Sequence, residues 1–471
     1  MTLSRLAVRS APGGGGGRPW MIVAGLVAGL AVFALALLPS PLVAQDAGAP
    51  GDSPDAPPTI VLTSYPEPFA QAVAVAYSRV HPGEELRFLH KSTHAIIEHV
   101  ASERLPRADV VWMSSPIGIA ELVRGRLLSP PVPAGGAAGG AAPPSAPRLH
   151  AFAYSQFGIM WRPDLLRAKG LPAPTGLASL LAPDYAGMVA MSAPARSGTT
   201  LLFVELVLQS LGWEEGWAYL QQLAGNLATV TARSFGVPEG LAHGRFPVGI
   251  GVGFLARTQQ TNGEPLAFLA VPEDVMLPAG VAALSTARHA QGARRFVAFL
   301  QGEAGQALLA EPQVARIPLA EARQATPFEE RFDYLLASTR RDVVVALFDQ
   351  LVTYQLDEHR RFWRRWRKVG AMVPGEGEGE GDAAREARSL LDRAYRRATG
   401  VPVRAFMAHD PALVRVFSPG GPERLENRAF RERLMESWHR ETRERLAEAG
   451  ALVEQAQRRM AAALVVSPAA R

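Results

Sequence analysis

Cysteine is absent from the 471-residue sequence. This absence excludes disulfide bonds, thiol nucleophiles and thiolate metal sites. Common catalytic signatures are missing as well: there is no Gly-x-Ser-x-Gly nucleophile elbow, no His-Glu-x-x-His helix and no Gly-x-x-x-x-Gly-Lys phosphate loop. We therefore predict a protein that is not an enzyme and that uses no metal and no cofactor. A hydrolase with an unrecognised serine nucleophile is the alternative.

Nucleic-acid-binding motifs are missing too, although the net charge is +5. The excess of arginine lies mainly in the C-terminal part of the chain, and we expect no nucleic-acid partner. With 48% hydrophobic and 20% charged residues, the composition is that of an ordinary globular protein. The length indicates more than one domain.

The first 44 residues have the organisation of a secretory signal peptide. Three arginines precede an apolar run from Met21 to Leu38, and the small residues Leu42-Val43-Ala44 follow it. Because the run approaches membrane-spanning length, an uncleaved anchor is the alternative. In both cases the rest of the chain is expected to be exported to the periplasm. Residues 45–58, rich in Gly, Asp and Pro, are predicted to be a flexible tether.

From residue 59 onward, short apolar runs alternate with amphipathic segments, a pattern typical of an α/β fold. Strands are predicted at residues 59–63, 86–90, 109–113, 150–161, 187–191, 246–254, 266–271 and 281–285. Helices are predicted at residues 69–80, 94–104, 117–128, 201–211, 213–224 and 292–309. The Ala/Gly/Pro-rich residues 130–147 are predicted to form a surface loop.

The sequence changes character after residue 316. Residues 327–368 and 382–460 are rich in Arg and Glu and are predicted to be helical, with a break at the acidic glycine repeat of residues 375–382. We therefore expect an all-helical C-terminal extension over residues 320–471. Its aromatic residues Phe362, Trp363 and Trp366 either dock on a partner or pack back on the rest of the protein.

Polar turns follow the first three predicted strands. They contain the pairs Ser64 and Tyr65, Ser92 and Thr93, and Ser114 and Ser115. In an open α/β sheet, ligands lie beyond the carboxyl ends of the strands, where helix N-termini point into a crevice. The three turns therefore predict a binding cleft for a polar or anionic ligand. The alternative is that their hydroxyls only cap the following helices.

A fourth turn offers a stronger anion-binding pattern. Its residues Arg196, Ser197, Gly198, Thr199 and Thr200 stand between a predicted strand and an apolar helix. Free amides and the positive end of the helix dipole converge at such a turn. A capped helix start is again the alternative.

A second guanidinium is predicted to serve the same site. Arg233, followed by Ser234, lies in a loop before a short predicted helix. Arginine binds a carboxylate or phosphate through a bidentate fork. A plain surface arginine is the alternative.

Taken together, several segments resemble the extracellular solute-binding proteins. The likeness is narrower with the ferric-iron-binding-like branch of the type 2 periplasmic binding proteins, which are receptors for ABC importers. It is carried by the Ser64-Tyr65 opening, the strand Phe157–Trp161, and residues 192–197, 212–218 and 225–237.

The resemblance implies two α/β lobes joined by crossing strands and closing on a ligand. The first lobe would comprise residues 59–148 and 266–319, and the second residues 150–265. The polar turns of the first lobe would then face Arg196–Thr200 and Arg233 across the cleft. The implied function is capture of a small anionic solute for the membrane subunits of an ABC importer. A regulatory protein that signals occupancy to a membrane sensor kinase is the alternative.

One departure from this branch bears on the ligand. Ferric-ion receptors of the branch carry adjacent tyrosines late in the second lobe as phenolate ligands, whereas this sequence has Gly251-Val-Gly-Phe254 at the matching place. Phenylalanine offers no oxygen to iron. We therefore expect a small organic anion, such as a phosphorylated three-carbon acid, in preference to ferric iron.

Overall fold

The computed structural model describes residues 57–131, 150–272, 275–312, 314–324, 332–375, 381–418 and 424–466. The predicted signal peptide, the tether up to residue 56, the predicted loop from residue 132 and the centre of the acidic repeat lie outside these residues. No helix among the described residues is both long enough and apolar enough to cross a membrane.

Ten strands are described. In chain order they are β1 (Thr59–Thr63), β2 (Leu86–His90), β3 (Val110–Met113), β4 (Ala151–Ser155), β5 (Phe157–Trp161), β6 (Val189–Ser192), β7 (Leu227–Thr231), β8 (Val248–Val252), β9 (Ala267–Ala270) and β10 (Leu277–Ala283).

Ten α-helices accompany these strands. They are α1 (Glu67–Val80), α2 (Thr93–Ala101), α3 (Pro116–Arg124), α4 (Pro163–Ala168), α5 (Gly198–Leu211), α6 (Trp213–Ala224), α7 (Gly236–Ala242), α8 (Gly253–Thr261), α9 (Ala290–Gln301) and α10 (Glu303–Ala310). The C-terminal extension contributes α11 (Tyr334–Leu351), α12 (Leu356–Gly370), α13 (Asp382–Ala398), α14 (Ala405–Ala408), α15 (Pro411–Phe417) and α16 (Arg424–Val466).

The strands form two five-stranded mixed sheets, with the orders β2-β1-β3-β10-β4 and β7-β6-β8-β5-β9. In the first sheet β1 is parallel to β2 and β3, and in the second β6 is parallel to β7 and β8. The carboxyl ends of neighbouring parallel strands lie at one edge of a sheet, so the loops that follow them emerge together. This arrangement confirms the predicted α/β fold with two lobes and a helical extension.

The chain crosses between the sheets at points that differ from the expected lobe boundaries. Residues 150–161, predicted as one strand of the second lobe, form β4 in the first sheet and β5 in the second, with Gln156 alone between them. Likewise β9, expected in the first lobe, pairs with β5 in the second sheet. An apolar run shows that a strand is buried but does not show which sheet it joins.

Two further elements differ from the sequence-based expectation. The predicted helix 292–309 is divided at Gly302, whose backbone is extended (φ −87°, ψ 174°). The strand β7 was not predicted, because its sequence Leu-Ala-Thr-Val-Thr mixes apolar and polar residues without a clear period.

The extension packs against the second lobe. Trp363 is 1% exposed and donates from its Nε1 to the backbone oxygen of Gln221 on α6, at 2.8 Å. Phe362 is buried as well, and Trp366 donates to the backbone oxygen of Leu391 on α13, at 3.1 Å. The packing interpretation is therefore confirmed for Trp363, and docking of the extension on a partner stays a prediction.

Candidate functional site

Helices from both lobes begin at one point. The first turns of α2 and α3 belong to the first lobe, and the first turn of α5 belongs to the second. A Cβ atom placed on Gly198 would lie 2.3 Å from the Cβ atom of Ser115 and 2.9 Å from Oγ1 of Thr93. These distances place the three first turns in direct contact, so the lobes are closed against each other here.

Unpaired amides accompany this meeting of helices. The N–H groups of Gly198 and Thr199 have no acceptor among the described residues, as is usual for the first turn of a helix. Each helix N-terminus also carries a partial positive charge. Three of them at one point favour an anion there.

Serine hydroxyls cap all three helices. Ser92, Ser115 and Ser197 each accept a hydrogen bond from a backbone N–H group of the following turn, at 3.3, 3.1 and 3.2 Å. The hydroxyls of Thr199 and Thr200 each lie 3.0 Å from the Ser197 hydroxyl. The capping interpretation is thus confirmed for these serines, and ligand binding by them stays a prediction.

The turn after β1 is tied to the turn after β3. The Ser64 hydroxyl accepts a hydrogen bond from the backbone N–H of Ser114 at 3.4 Å. The Tyr65 side chain turns inward and is 3% exposed, against the rings of Phe69 and Trp112. The structure therefore brings the predicted polar turns to one sheet edge, while Tyr65 lies beneath that edge in the aromatic core.

Arg196 and Arg233 lie on neighbouring loops of the second lobe. The N–H group of Ala193 donates to the oxygen of Thr231 at 2.8 Å, which joins the turn after β6 to the loop after β7. Arg196 is exposed, whereas Arg233 and Ser234 are half-buried. Neither guanidinium has a hydrogen-bond or ion-pair partner within the described part of the chain, so both are available to an anion.

Arg316 was not predicted from the sequence, although it lies between the lobes. Its guanidinium carbon is 4.3 Å from the ring centroid of Tyr65 and 4.8 Å from that of Phe69, both in the first lobe. On its other side it lies 3.6 Å from the ring centroid of Phe254, at the start of α8 in the second lobe. The available signal was a lone charge within the otherwise uncharged run Val314–Pro318.

Burial shifts the titration of this pair without changing its charge at neutral pH. Burial raises the pKa of the Tyr65 phenol to about 12, and the positive Arg316 opposes the shift. Burial also lowers the pKa of Arg316 to about 10. Tyr65 therefore remains a neutral hydrogen-bond donor and Arg316 a cation.

The junction between the lobes carries positive charge. Within the described residues, no three side chains of His, Cys, Asp or Glu are grouped so that they could hold a metal ion. Phe254, in the segment that the sequence analysis matched to the tyrosines of iron receptors, has its ring 3.6 Å from the guanidinium carbon of Arg316. Hard ferric iron needs anionic oxygen ligands, whereas this junction presents donors and positive charge.

The comparison with protein families decides the class of this protein. Residues 59–311 match the family model of the bacterial extracellular solute-binding proteins. The chain belongs to this family. The family and the two solved structures described below are binding proteins.

Relatives of this solute-binding protein are known by sequence and by structure. The phosphoglycerate transport regulatory protein PgtC of Salmonella typhimurium is 28% identical over 390 residues, covering 80% of this chain and 92% of that protein. A match to 80% of the chain cannot be contained in the first 319 residues, so it extends into the C-terminal helices.

Two solved structures share the fold. The periplasmic binding protein AfuA of Actinobacillus pleuropneumoniae, with fructose-6-phosphate bound, is 17% identical with a TM-score of 0.53 and covers 63% of this chain and 98% of that one. A periplasmic thiamin binding protein is 16% identical with a TM-score of 0.50 and covers 63% of this chain and 96% of that one.

Beyond the family region, α11 of this solute-binding protein bridges the two lobes. Arg340 donates to the carboxylate of Glu205, on α5 of the second lobe, at 3.0, 3.2 and 2.7 Å. Arg341, the next residue, pairs with Glu121 on α3 of the first lobe at 2.7 Å and hydrogen-bonds with His94 of α2 at 2.9 Å. We call Arg340 and Arg341 the bridging arginines. They connect one helix of the extension to the same α2, α3 and α5 whose N-termini meet.

Proposed function

We propose that this protein is a periplasmic receptor that captures a small anionic, phosphorylated solute by closing its two lobes around it. The receptor then delivers the solute to the membrane subunits of an ABC importer. The observation that carries the proposal is the meeting of three helix N-termini from both lobes, beside amides and two arginines that have no partner among the described residues. The proposed binding residues are Ser64, Tyr65, Ser92, Thr93, Ser114, Ser115, Arg196, Ser197, Gly198, Thr199, Thr200, Arg233 and Ser234.

The known relatives support the choice of ligand class. One is named for phosphoglycerate transport, and a structural neighbour holds fructose-6-phosphate. Both names contain a phosphorylated small molecule. A phosphate group is also the anion for which helix N-termini and arginine forks are best suited.

In the proposed mechanism, the solute is captured between binding groups of the two lobes. With the lobes apart, a phosphate reaches the N–H groups of Gly198 and Thr199 and the guanidinium of Arg233 on the second lobe. Closure then brings Thr93 and Ser115 of the first lobe to Gly198. Removal of water strengthens each of these charge-assisted hydrogen bonds.

Substituting Arg233 tests the proposed anion-binding residues of the second lobe. We expect Arg233→Ala to lower the affinity for 3-phosphoglycerate by about 10- to 100-fold, as for a lost hydrogen bond to a charged group. Isothermal titration calorimetry measures this change. Arg79→Ala is the matched control, because Arg79 is an exposed arginine near the end of α1 and has no described partner. Equal affinities of wild type and Arg233→Ala would contradict the assignment.

A ligand panel separates the competing functions. Calorimetry with 3-phosphoglycerate, phosphoenolpyruvate, fructose 6-phosphate, aminoethylphosphonate and ferric citrate should give binding with phosphorylated compounds. Tight binding of ferric citrate alone would favour an iron receptor. Release of inorganic phosphate from the bound esters would favour an exported hydrolase.

A regulatory role is the second candidate, and the bridging arginines favour it. They give the extension contact with both lobes, and the relative PgtC is named a regulatory protein. We propose that lobe closure is passed through α11 to a membrane sensor kinase. A deletion of the extension is a poor test, because Trp213 of the second lobe is hydrogen-bonded to Val403 and shares a core with it.

Hydrogen–deuterium exchange tests this coupling in the intact chain. Because α11 touches both lobes, saturating 3-phosphoglycerate should slow amide exchange in α11 by about tenfold or more, as expected when local opening costs an additional ~1.4 kcal/mol. Exchange in α16, which lies outside the contacts with α2, α3 and α5 described above, is the internal control. Slowing confined to the sheet-edge loops would show that the extension does not respond to closure.

A further inference from the structure

Several buried hydrogen-bond donors without a partner among the described residues lie around Arg316. This residue is 4% exposed, yet its Nε and Nη1 atoms have no hydrogen-bond partner among the described residues. The hydroxyl of Tyr65, whose ring lies against the guanidinium, has none either. The same holds for Nη2 of Arg257, whose Nε reaches the backbone oxygen of Ala315 beside Arg316. All of these atoms can donate a proton, and none is matched by an acceptor.

Among the described residues, no carboxylate compensates the charge of Arg316. The two titratable groups that act on it are the neutral Tyr65 and a second cation, Arg257. Aromatic faces give a cation only a modest stabilisation, whereas a buried charge without a counter-ion carries a large desolvation cost. An arrangement of this kind is unfavourable for stability alone and suits an anion supplied from outside the chain.

We propose that Arg316, Tyr65 and Arg257 form a second anion site at the floor of the cleft, which binds the carboxylate of the captured solute. The inference rests on the proposed function, because the phosphate of the same solute occupies the helix N-termini. A guanidinium fork and a phenol hydroxyl match the two oxygens of a carboxylate. The ligand class is therefore a short phosphorylated carboxylic acid.

The spacing between the two anion sites along the sheets is compatible with a short ligand that carries one acidic group at each end. In the first lobe, Tyr65 follows β1 and Ser115 follows β3, which are hydrogen-bonded neighbours. In the second lobe, Phe254 follows β8 and Gly198 follows β6, which are neighbours as well. Neighbouring strands lie about 4.8 Å apart. The two anion sites therefore lie side by side along one edge in each lobe.

Three small probes separate the two sites. They are 3-phosphoglycerate, which has both acidic groups, glycerol 3-phosphate, which lacks the carboxylate, and glycerate, which lacks the phosphate. We expect the intact protein to bind 3-phosphoglycerate at least about tenfold more tightly than glycerol 3-phosphate, since an added charge-assisted hydrogen bond contributes that much.

Two variants then test whether Arg316 and Tyr65 cause the preference for 3-phosphoglycerate over glycerol 3-phosphate. Arg316→Met should lower the affinity for 3-phosphoglycerate by about 100-fold and leave glycerol 3-phosphate unchanged. Its unfolding temperature without ligand should stay equal or rise, because the substitution removes an uncompensated buried charge. Tyr65→Phe removes an unpartnered hydroxyl without changing the ring, so it should fold normally and weaken 3-phosphoglycerate alone.

Arg445→Met is the matched control. Arg445 is also 4% exposed but is paired with Glu441 at 2.9 Å in the extension. Its substitution should lower the unfolding temperature and leave the ratio of the two affinities unchanged.

The outcomes distinguish this inference from the proposed function. An undiminished preference for 3-phosphoglycerate in both Arg316→Met and Tyr65→Phe would overturn the second site and leave the receptor function standing. Loss of stability in Arg316→Met with unchanged preference in Tyr65→Phe would show a structural role and overturn it as well. A third outcome is that glycerate binds as tightly as 3-phosphoglycerate and that Arg316→Met abolishes this binding. This outcome would support the second site and overturn the phosphorylated ligand class.

Discussion

Substitution of Gly198 by alanine is expected to lower the affinity for 3-phosphoglycerate by about 100-fold, because the added methyl group prevents the lobes from closing. The new Cβ atom would lie 2.3 Å from the Cβ atom of Ser115 and 2.5 Å from its Oγ. Ser115 is fully buried and its hydroxyl caps α3, so it cannot rotate away without losing that hydrogen bond. The steric conflict exists only in the closed arrangement.

The substitution should not unfold either lobe. Gly198 is the first residue of α5, where alanine is a better helix former than glycine. The unfolding temperature without ligand should therefore fall little, while small-angle X-ray scattering should show a larger radius of gyration than for the wild type. Gly450→Ala is the control, because it adds a methyl group within α16 with nothing within 4 Å. Full affinity together with an unchanged radius in Gly198→Ala would contradict the closure mechanism.

The second large effect is expected at the buried ion pair between Glu205 and Arg340. Glu205 is fully buried and accepts three hydrogen bonds from Arg340. Glu205→Gln leaves the guanidinium buried without a counter-charge, which should lower the free energy of unfolding by about 3–5 kcal/mol. Urea denaturation followed by circular dichroism measures this loss.

A double variant separates charge imbalance from lost packing. Glu205→Leu with Arg340→Met removes both charges, so it should restore most of the stability lost in the single variant. Glu432→Gln breaks the exposed pair with Arg428 on α16, at 2.8 Å, and should leave the denaturation midpoint unchanged. If the double variant were as unstable as Glu205→Gln, charge imbalance would not be the cause.

Local patterns in the sequence were sufficient to predict elements that form an apolar run or an apolar period between turn residues. β1, β2 and α6 have the predicted bounds, because turn residues border the apolar pattern of each one. The lobe boundaries were misplaced at β4 and β9, since which sheet a strand joins depends on pairing with residues more than a hundred positions away.

Part of the arrangement at the candidate site was also predictable from the sequence. The polar turns are local signals, and the structure does place Thr93 and Ser115 at Gly198. Arg316 is placed between the lobes only by its contacts with Tyr65 and Phe254, which are distant in sequence and belong to different lobes. The pairing of Glu205 with Arg340 likewise joins α5 to the extension across more than a hundred residues. No local pattern specifies such pairs.

The bridging arginines have a thermodynamic consequence for the receptor as a whole. Since α11 holds α3 through Arg341 and α5 through Arg340, separation of the lobes must disturb at least one of these attachments. Solute binding and the docking of α11 are then linked equilibria, and linkage is reciprocal. Any protein that binds the extension more tightly when the lobes are closed raises solute affinity by the same factor. Under the proposed function, the C-terminal helices thereby make the affinity of the cleft adjustable from a surface outside it.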